Sequence, residues 1–241
     1  FLNRVVGGLY TPGSIIKPIV ASGAYTDGII SPEKVIVSTG SISVPNPYDP
    51  SKPTVFKDWK ALGPMNMRSA IAYSSDVYFY TVGGGFGGQE GLGIERLAHW
   101  YESFGYTKPT GIELGNENSG FVPTPAWKKE TYDEDWSIGN TYHTAIGQYA
   151  MQITVLEAIR AIGAVANGGK LVRPTILKDA PLQGESVVVD SEALQIAREG
   201  MRMGVTEGTS VGLNDLSYVH AAGKTGTAET GAHKEFYNAW A

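Results

Sequence analysis

Three short stretches of this chain carry side chains that could do acyl-transfer chemistry. Ser14-Ile15-Ile16-Lys17 sets a hydroxyl and an amine three residues apart, a step that puts both on one face of a helix. A serine hydroxyl is a weak nucleophile until a base takes its proton. A lysine becomes such a base when burial or nearby positive charge lowers its pKa. The start of a helix adds free backbone N–H groups and a positive dipole end, both suited to a developing oxyanion. Pro18 withholds from the Ser14 carbonyl its usual helical donor, a local irregularity of the kind expected at a reactive site. Ser74-Ser75-Asp76 supplies S-x-D, and Lys224-Thr225-Gly226-Thr227 supplies K-T-G-T. Singly, each has an ordinary reading: a helix cap, a helix break, the polar end of a strand. Together, in this order and in helix, helix-break and strand contexts, they exceed coincidence.

Other motifs lead elsewhere. A second S-x-x-K, Ser31-Pro32-Glu33-Lys34, has its serine before a proline and reads as a cap or turn. Gly83 to Gly88 satisfies G-x-G-x-x-G. That fingerprint needs a strand before it and a helix opening within it, whereas here a helical pattern precedes. His99, His143, His220 and His233 show no close ligand spacing, so no zinc site is expected. The absence of cysteine excludes a disulfide framework and a thiol nucleophile.

The elements that must position these residues follow from apolar spacing. A helix is predicted over 14–25 behind the Pro12-Gly13 turn, and a second over 67–82, broken near Ser74 and Ser75. Between them the prolines of 31–64 (at 32, 45, 47, 50, 53 and 64) exclude long helices and central strands, leaving loops and short strands. Helices are predicted over 93–104, stopped by Gly105, and over 154–167. The latter carries a Thr154/Glu157 capping box and a buried stripe of Leu156, Ile159, Ile162 and Ala166. Strand-like runs at 171–177 and 186–189 precede a helix from a Ser191 cap through Met201. The stretch 218–229, around Lys224, alternates like a strand. Helices and strands do not alternate strictly, which favours α+β.

Composition agrees with a globular protein. The 241 residues suffice for one large or two small domains, 42% are hydrophobic and 18% charged. A net charge of −5 without a basic stripe argues against nucleic acid as a partner. Glycine, 31 of 241 residues, is well above the usual ~7%, so the regular elements are joined by many loops. No apolar run approaches the ~20 residues of a membrane span. A chain opening on Phe1 without a leader reads as part of a longer protein.

The ordered triple S-x-x-K, S-x-[ND] and K-T-G marks penicillin-interacting serine enzymes. Along nearly its whole length the chain resembles the transpeptidase domain of class B penicillin-binding proteins, above all their elongation branch. The likeness is carried by Phe1-Leu2-Asn3-Arg4, Gly8-Leu9-Tyr10, Pro12-Gly13-Ser14, Ala72 to Tyr80, Gly111-Ile112-Glu113-Leu114, Ala145-Ile146-Gly147-Gln148, Ala166 to Gly169 and Gly223 to Ala228.

The resemblance implies an antiparallel β-sheet flanked by helices with a helical subdomain, the whole of 1–241 forming one transpeptidase domain truncated at both ends. It implies a D,D-transpeptidase that cross-links peptidoglycan stem peptides through an acyl-enzyme on Ser14 and is blocked by β-lactams. Lys17 would be the base and Ser74 would relay a proton to the leaving amine. Lys224 would depress the other lysine's pKa and attract the substrate carboxylate, which Thr225 and Thr227 would bind. Gly226 would let substrate lie close, and the N–H groups of Ser14 and Thr227 would form the oxyanion hole. Asp76 stands where many relatives have asparagine. As an anion it would raise the pKa of Lys17 and could donate no hydrogen bond to substrate, so a structural role is expected of it.

By the same resemblance no cofactor is needed. The metal site of some elongation-type members is not expected, because no histidine or cysteine lies between Ser14 and Ser74. A glycosyltransferase partner is implied, and a location on the outer, periplasmic face of the cytoplasmic membrane with the anchor outside this chain. Two other readings share the triad. One is a serine β-lactamase, although no glutamate begins the E-x-x-x-N of class A. The other is a non-catalytic β-lactam sensor.

Overall fold

The computed structural model describes residues 2–46, 49–215, 218–231 and 236–241; Phe1, Pro47 and His233 of the sequence reading lie outside them. The amino-terminal part comprises α1 (Arg4–Gly7), a 3₁₀ turn (Gly13–Ile16) and α2 (Lys17–Thr26). The proline-rich excursion forms β1 (Ile36–Ser38), β2 (Ser41–Val44), β3 (Thr54–Lys57) and β4 (Gly63–Met65). Next come α3 (Met67–Ala72), α4 (Asp76–Gly84), α5 (Gly93–Ser103), α6 (Pro125–Tyr132), α7 (Ile138–Ala145) and α8 (Val155–Asn167). β5 (Lys170–Val172), β6 (Gly184–Ser186), α9 (Ser191–Thr206), β7 (Gly226–Thr230) and β8 (Phe236–Trp240) complete the described elements. The class is α+β, as expected. Among the described residues every ladder is antiparallel, and strands pair in twos: β1 with β4, β2 with β3, β5 with β6, β7 with β8.

α2 is the hub. Ile16, Ile19, Val20, Ala21 and Ala24 are all but inaccessible, so the helix is apolar on nearly every side, as a helix at the centre of a core must be. α3, α4, α5 and α9 pack around it. The Trp100 ring of α5 lies against Gly23, where any Cβ would come within 2.5 Å of it. The break after α3 falls where the sequence placed it. Asn66 and Ser69 form a capping box at the start of α3, Ser75 caps α4, and between the two helices Ser74 sits at φ +58°. A left-handed non-glycine residue costs ~1 kcal/mol and persists where surrounding contacts hold it.

Several expectations are corrected. α8 has the expected capping box, but Ile159 is 59% exposed. Ala166 is exposed too, whereas Leu156 is buried and Ile162 packs against the core as expected; the rest of the buried side is Ala158, Ala161, Ala164 and Val165, small residues that let α1, α9 and β5 approach closely. α9 is capped by the Asp190 side chain, which accepts from Glu192 N–H, and not by Ser191. The run 171–177 is a strand only to Val172. Beyond Pro174, Thr175 and Ile176 donate instead to the Glu113 carboxylate. The 218–229 segment pairs as a strand only from Gly226. Before that, Arg202 donates to Ala221 O and Gly223 N–H to Met201 O, tying the segment to α9 rather than to a strand. The Gly83–Gly88 run is the end of α4 and the turn after it, with Gly85 at φ +84°. Ser31 and Lys34 form an exposed turn. Among the described residues no helix is long and apolar enough to cross a membrane.

Candidate active site

The three motifs, far apart in sequence, meet at one hydroxyl. Lys17 is fully buried, and its Nζ donates to Ser74 O (2.8 Å), Ser74 Oγ (3.2 Å) and Asp76 Oδ1 (2.6 Å). Lys224 Nζ, also buried, donates to the same Ser74 Oγ (2.8 Å) and to Thr225 O (2.7 Å). The Phe79 ring lies 5.4 Å from Lys17 Nζ, within cation–π range.

Ser14 stands in the 3₁₀ turn that leads into α2, half-buried, with Lys17 starting the helix proper. The 3₁₀ geometry answers the Pro18 irregularity: the Lys17 N–H donates to Ser14 O, so that carbonyl keeps a donor after all. Ahead of it, Gly13 takes φ +56° and donates its N–H to Gly147 O at 2.8 Å. A Cβ on Gly13 would lie 2.8 Å from Thr227 O, and one on Gly226 would lie 2.9 Å from Ile15 Cγ2. Two glycines thus let β7 lie flush against the start of the first motif, bringing the backbone at Thr227 beside that preceding Ser14. Thr227 itself is exposed on the rim, while the Thr225 hydroxyl is bonded to Thr209 Oγ1 (2.8 Å) in the loop after α9.

Burial and, secondly, the charge of Lys17 drive the Lys224 pKa well below its ordinary 10.5, with Asp76 opposing. Between its folded value and 10.5, Lys224 binds fewer protons folded than unfolded, so stability rises with pH across that window and is least below it. Wild-type urea midpoints are expected to climb from pH 7 towards pH 10 more steeply than those of Lys224→Met. Parallel curves would refute this.

One carboxylate that no motif announces organises the second stretch. Asp58, 8% exposed, accepts at Oδ2 from Ser38 Oγ (2.9 Å), Ser75 Oγ (2.8 Å) and Val77 N–H (3.1 Å). At Oδ1 it accepts from Trp59 N–H (2.9 Å) and Asp76 N–H (3.0 Å). It therefore caps α4 at the turn that presents Ser74 and Asp76. Trp59 adds a bond from Nε1 to Tyr73 O at 3.1 Å. Phe56 of β3 packs edge-on against Tyr80 and Tyr142, fixing the excursion to α4 and α7. Its trace in the sequence is an Asp-Trp pair late in the proline-rich stretch, ahead of Pro64.

Comparison with known proteins gives a consistent picture. The family model described as the penicillin binding protein transpeptidase domain matches residues 1–241. The peptidoglycan D,D-transpeptidase MrdA of Haemophilus influenzae is 32% identical over 97% of this chain and 36% of its own length. The solved penicillin-binding protein PBP2 of Helicobacter pylori superposes with a TM-score of 0.82 at 32% identity, over 94% of this chain and 42% of that one. A structure of a peptidoglycan synthase complex, described as coordinating polymerization and crosslinking, matches with a TM-score of 0.80 at 31% identity, over 97% of this chain and 39% of that one. The chain thus spans little more than a third of the curated relative's length.

Proposed function

Because the chain belongs to the family of penicillin-binding-protein transpeptidase domains, we propose that it is the catalytic part of a serine D,D-transpeptidase that cross-links peptidoglycan stem peptides. The observation that carries this reading is the Ser74 hydroxyl held between two buried lysines, 3.2 Å from one and 2.8 Å from the other, close to the helix start that bears Ser14. Ser14 Oγ attacks the carbonyl of the penultimate D-alanine and its proton passes into the Lys17–Ser74–Lys224 array. The N–H groups of Ser14 and Thr227 hold the oxyanion, each such donor contributing roughly 3 kcal/mol to the transition state. The C–N bond then breaks, the array returns a proton to the departing D-alanine nitrogen, and Ser14 carries the acyl group. An amine from a second stem displaces it, forming the cross-link and freeing Ser14. Thr225 and Thr227 take the substrate carboxylate beside Lys224, Gly226 admits the peptide backbone against β7, and Asp76 anchors Lys17.

A β-lactam follows the same first step, but its amide nitrogen stays tethered, so the acyl-enzyme persists. The likeness to a synthase complex that couples polymerization to crosslinking supports a glycosyltransferase partner for the whole protein. That partnership favours the outer face of the cytoplasmic membrane as its location.

A fluorescent penicillin tests the reading. One equivalent is expected to attach, with the added mass on the peptide containing Ser14, and nitrocefin is expected to give a single burst. Sustained nitrocefin hydrolysis would make the protein a β-lactamase. Labelling without cross-linking of a stem-peptide donor to an amine acceptor would make it a sensor. No label would overturn the reading altogether.

A further inference from the structure

We propose that Thr209, in the turn after α9, is a positioning residue for the substrate carboxylate: by turning its own hydroxyl proton it releases the Thr225 proton to donate there. The inference rests on the carboxylate role proposed above for Thr225 and adds the residue through which that role is exercised.

The turn is where the second and third motifs are joined. Gly200 and Gly204 of α9 and Gly208 just past it recur every fourth residue, along one side of the helix. A Cβ on Gly200 would lie 2.9 Å from Ile71 Cβ, one on Gly204 would lie 3.1 Å from Gly223 O, and one on Gly208 would collide with Ala72 O. With no side chains in the way, α3 and the segment leading to Lys224 both close on the end of α9. Gly223 N–H donates to Met201 O at 3.1 Å. Ala72, the last residue of α3 and two before Ser74, accepts at O from the Thr209 N–H at 3.1 Å. Ser210 N–H donates back to Gly204 O (2.9 Å), fixing the turn itself. Thr209 therefore holds one motif by its backbone and the other by its hydroxyl.

The hydroxyl donors run in one direction. The Thr225 hydroxyl donates to Thr209 Oγ1 at 2.8 Å, and the Thr209 hydroxyl donates to Ala72 O at 3.4 Å. In that state the Thr225 proton points into the protein, and Thr225 offers a substrate only lone pairs. A carboxylate is itself only an acceptor, so the contact needs the Thr225 proton to turn outward. Thr209 supplies the means. Its hydroxyl contact with Ala72 O is the longest of these bonds, and that carbonyl keeps the Thr209 N–H as a donor when the hydroxyl leaves. Rotating about its Cβ–Oγ1 bond, the Thr209 hydroxyl donates to Thr225 Oγ1, and the Thr225 hydroxyl donates to the carboxylate. No covalent bond is made or broken, each hydroxyl still donates once, and no acceptor loses its last donor. The new bond is charge-assisted and so stronger than the one given up, and the donor behind Thr225 polarises it further.

Benzylpenicillin and its methyl ester, each competing with a fluorescent penicillin for Ser14, test the role, because they differ only at the carboxylate. Wild-type protein is expected to react with the acid at least about tenfold faster than with the ester. Thr209→Val keeps the shape and the backbone N–H but has no hydroxyl. It is expected to slow the acid by about three- to tenfold and to leave the ester unchanged, while Thr209→Ser keeps the wild-type ratio. Equal slowing of acid and ester would mark Thr209 as a structural residue and overturn the inference, as would a wild-type ratio in Thr209→Val. Thermal melts supply a second arm that needs no turnover. Thr209→Val and Thr225→Val are expected to lower the melting temperature less together than the sum of their separate shifts, because either removes the one bond they share. Additive shifts would overturn the link. If wild type reacts with acid and ester alike, the carboxylate role of Thr225 is wrong and the inference falls with it. If wild type takes no label at all, the proposed activity fails and takes the carboxylate role with it, whereas coupled melts would still establish the Thr209–Thr225 bond.

Discussion

Ser74→Ala is expected to slow acylation by a fluorescent penicillin about 10²–10⁴-fold while changing folding stability by no more than ~1 kcal/mol. The Ser74 hydroxyl is the one atom that both lysine nitrogens contact, at 3.2 and 2.8 Å. Without it, the proposed relay of the Ser14 proton loses the oxygen that both amines share, and the two amines are left without their common partner. The fold loses little, because Lys17 keeps Ser74 O and Asp76 Oδ1 as acceptors. Alanine also takes the φ +58° backbone at a cost near that of serine. Ser74→Gly separates chemistry from strain. Glycine relieves the left-handed backbone, so this variant should melt at or above the wild-type temperature and still acylate as slowly as Ser74→Ala. A Ser74→Gly protein that acylates at the wild-type rate would remove Ser74 from the proton path. Stopped-flow labelling beside a thermal melt reads both quantities.

Side chains at short fixed spacing were legible, and contacts made across long loops were not. Ser14 and Lys17 are three residues apart at the start of α2, and that shared placement was readable because the step is dictated by helix geometry. The helix break at Ser74 was visible because paired serines before an aspartate supply a cap. The meeting of Lys224 with Ser74 was anticipated only from the order of the three motifs. Nothing in the local sequence around Lys224 points to it, and the strand expected there begins two residues later, at Gly226. α6 was overlooked although Thr124-Pro125 is a cap followed by proline in the first turn. Its single buried residue, Lys128, gives it no apolar stripe. α8 was read only in part: Leu156 and Ile162 face the core as their spacing suggested, but Ile159 is exposed and Ala158, Ala161 and Ala164 take the closest packing instead. Asp58 left almost no trace, because Ser38, Ser75 and Val77 lie 17 to 20 residues from it. A carboxylate that satisfies distant donors looks in sequence like any surface aspartate.

That hidden carboxylate leads to the second large effect. Asp58→Ala is expected to destabilise the protein by roughly 3 kcal/mol, because it leaves the Asp76 and Val77 N–H groups at the start of α4 without their acceptor and removes an anion from a helix N-terminus. For a chain of this length that lowers the melting temperature by roughly 6–12 °C. The functional loss should exceed what unfolding explains. Measured well below the new midpoint, where nearly all molecules are folded, acylation should still fall about 10²-fold. The turn carrying Ser74 and Asp76 would be freed from the proline-rich excursion, and a small displacement of reacting groups can cost that much. Asp58→Asn sharpens the test. Its amide keeps the shape and one acceptor, but its NH₂ cannot accept and faces N–H donors on one side or the other. It should therefore lie between wild type and alanine in both melting temperature and rate, whereas a mere gap-filling role would leave the near-isosteric asparagine indistinguishable from aspartate. If Asp58→Asn melts and acylates like wild type, the carboxylate is not what holds the second motif. Ser74 would then owe its left-handed backbone to Lys17, whose ammonium donates to Ser74 O at 2.8 Å.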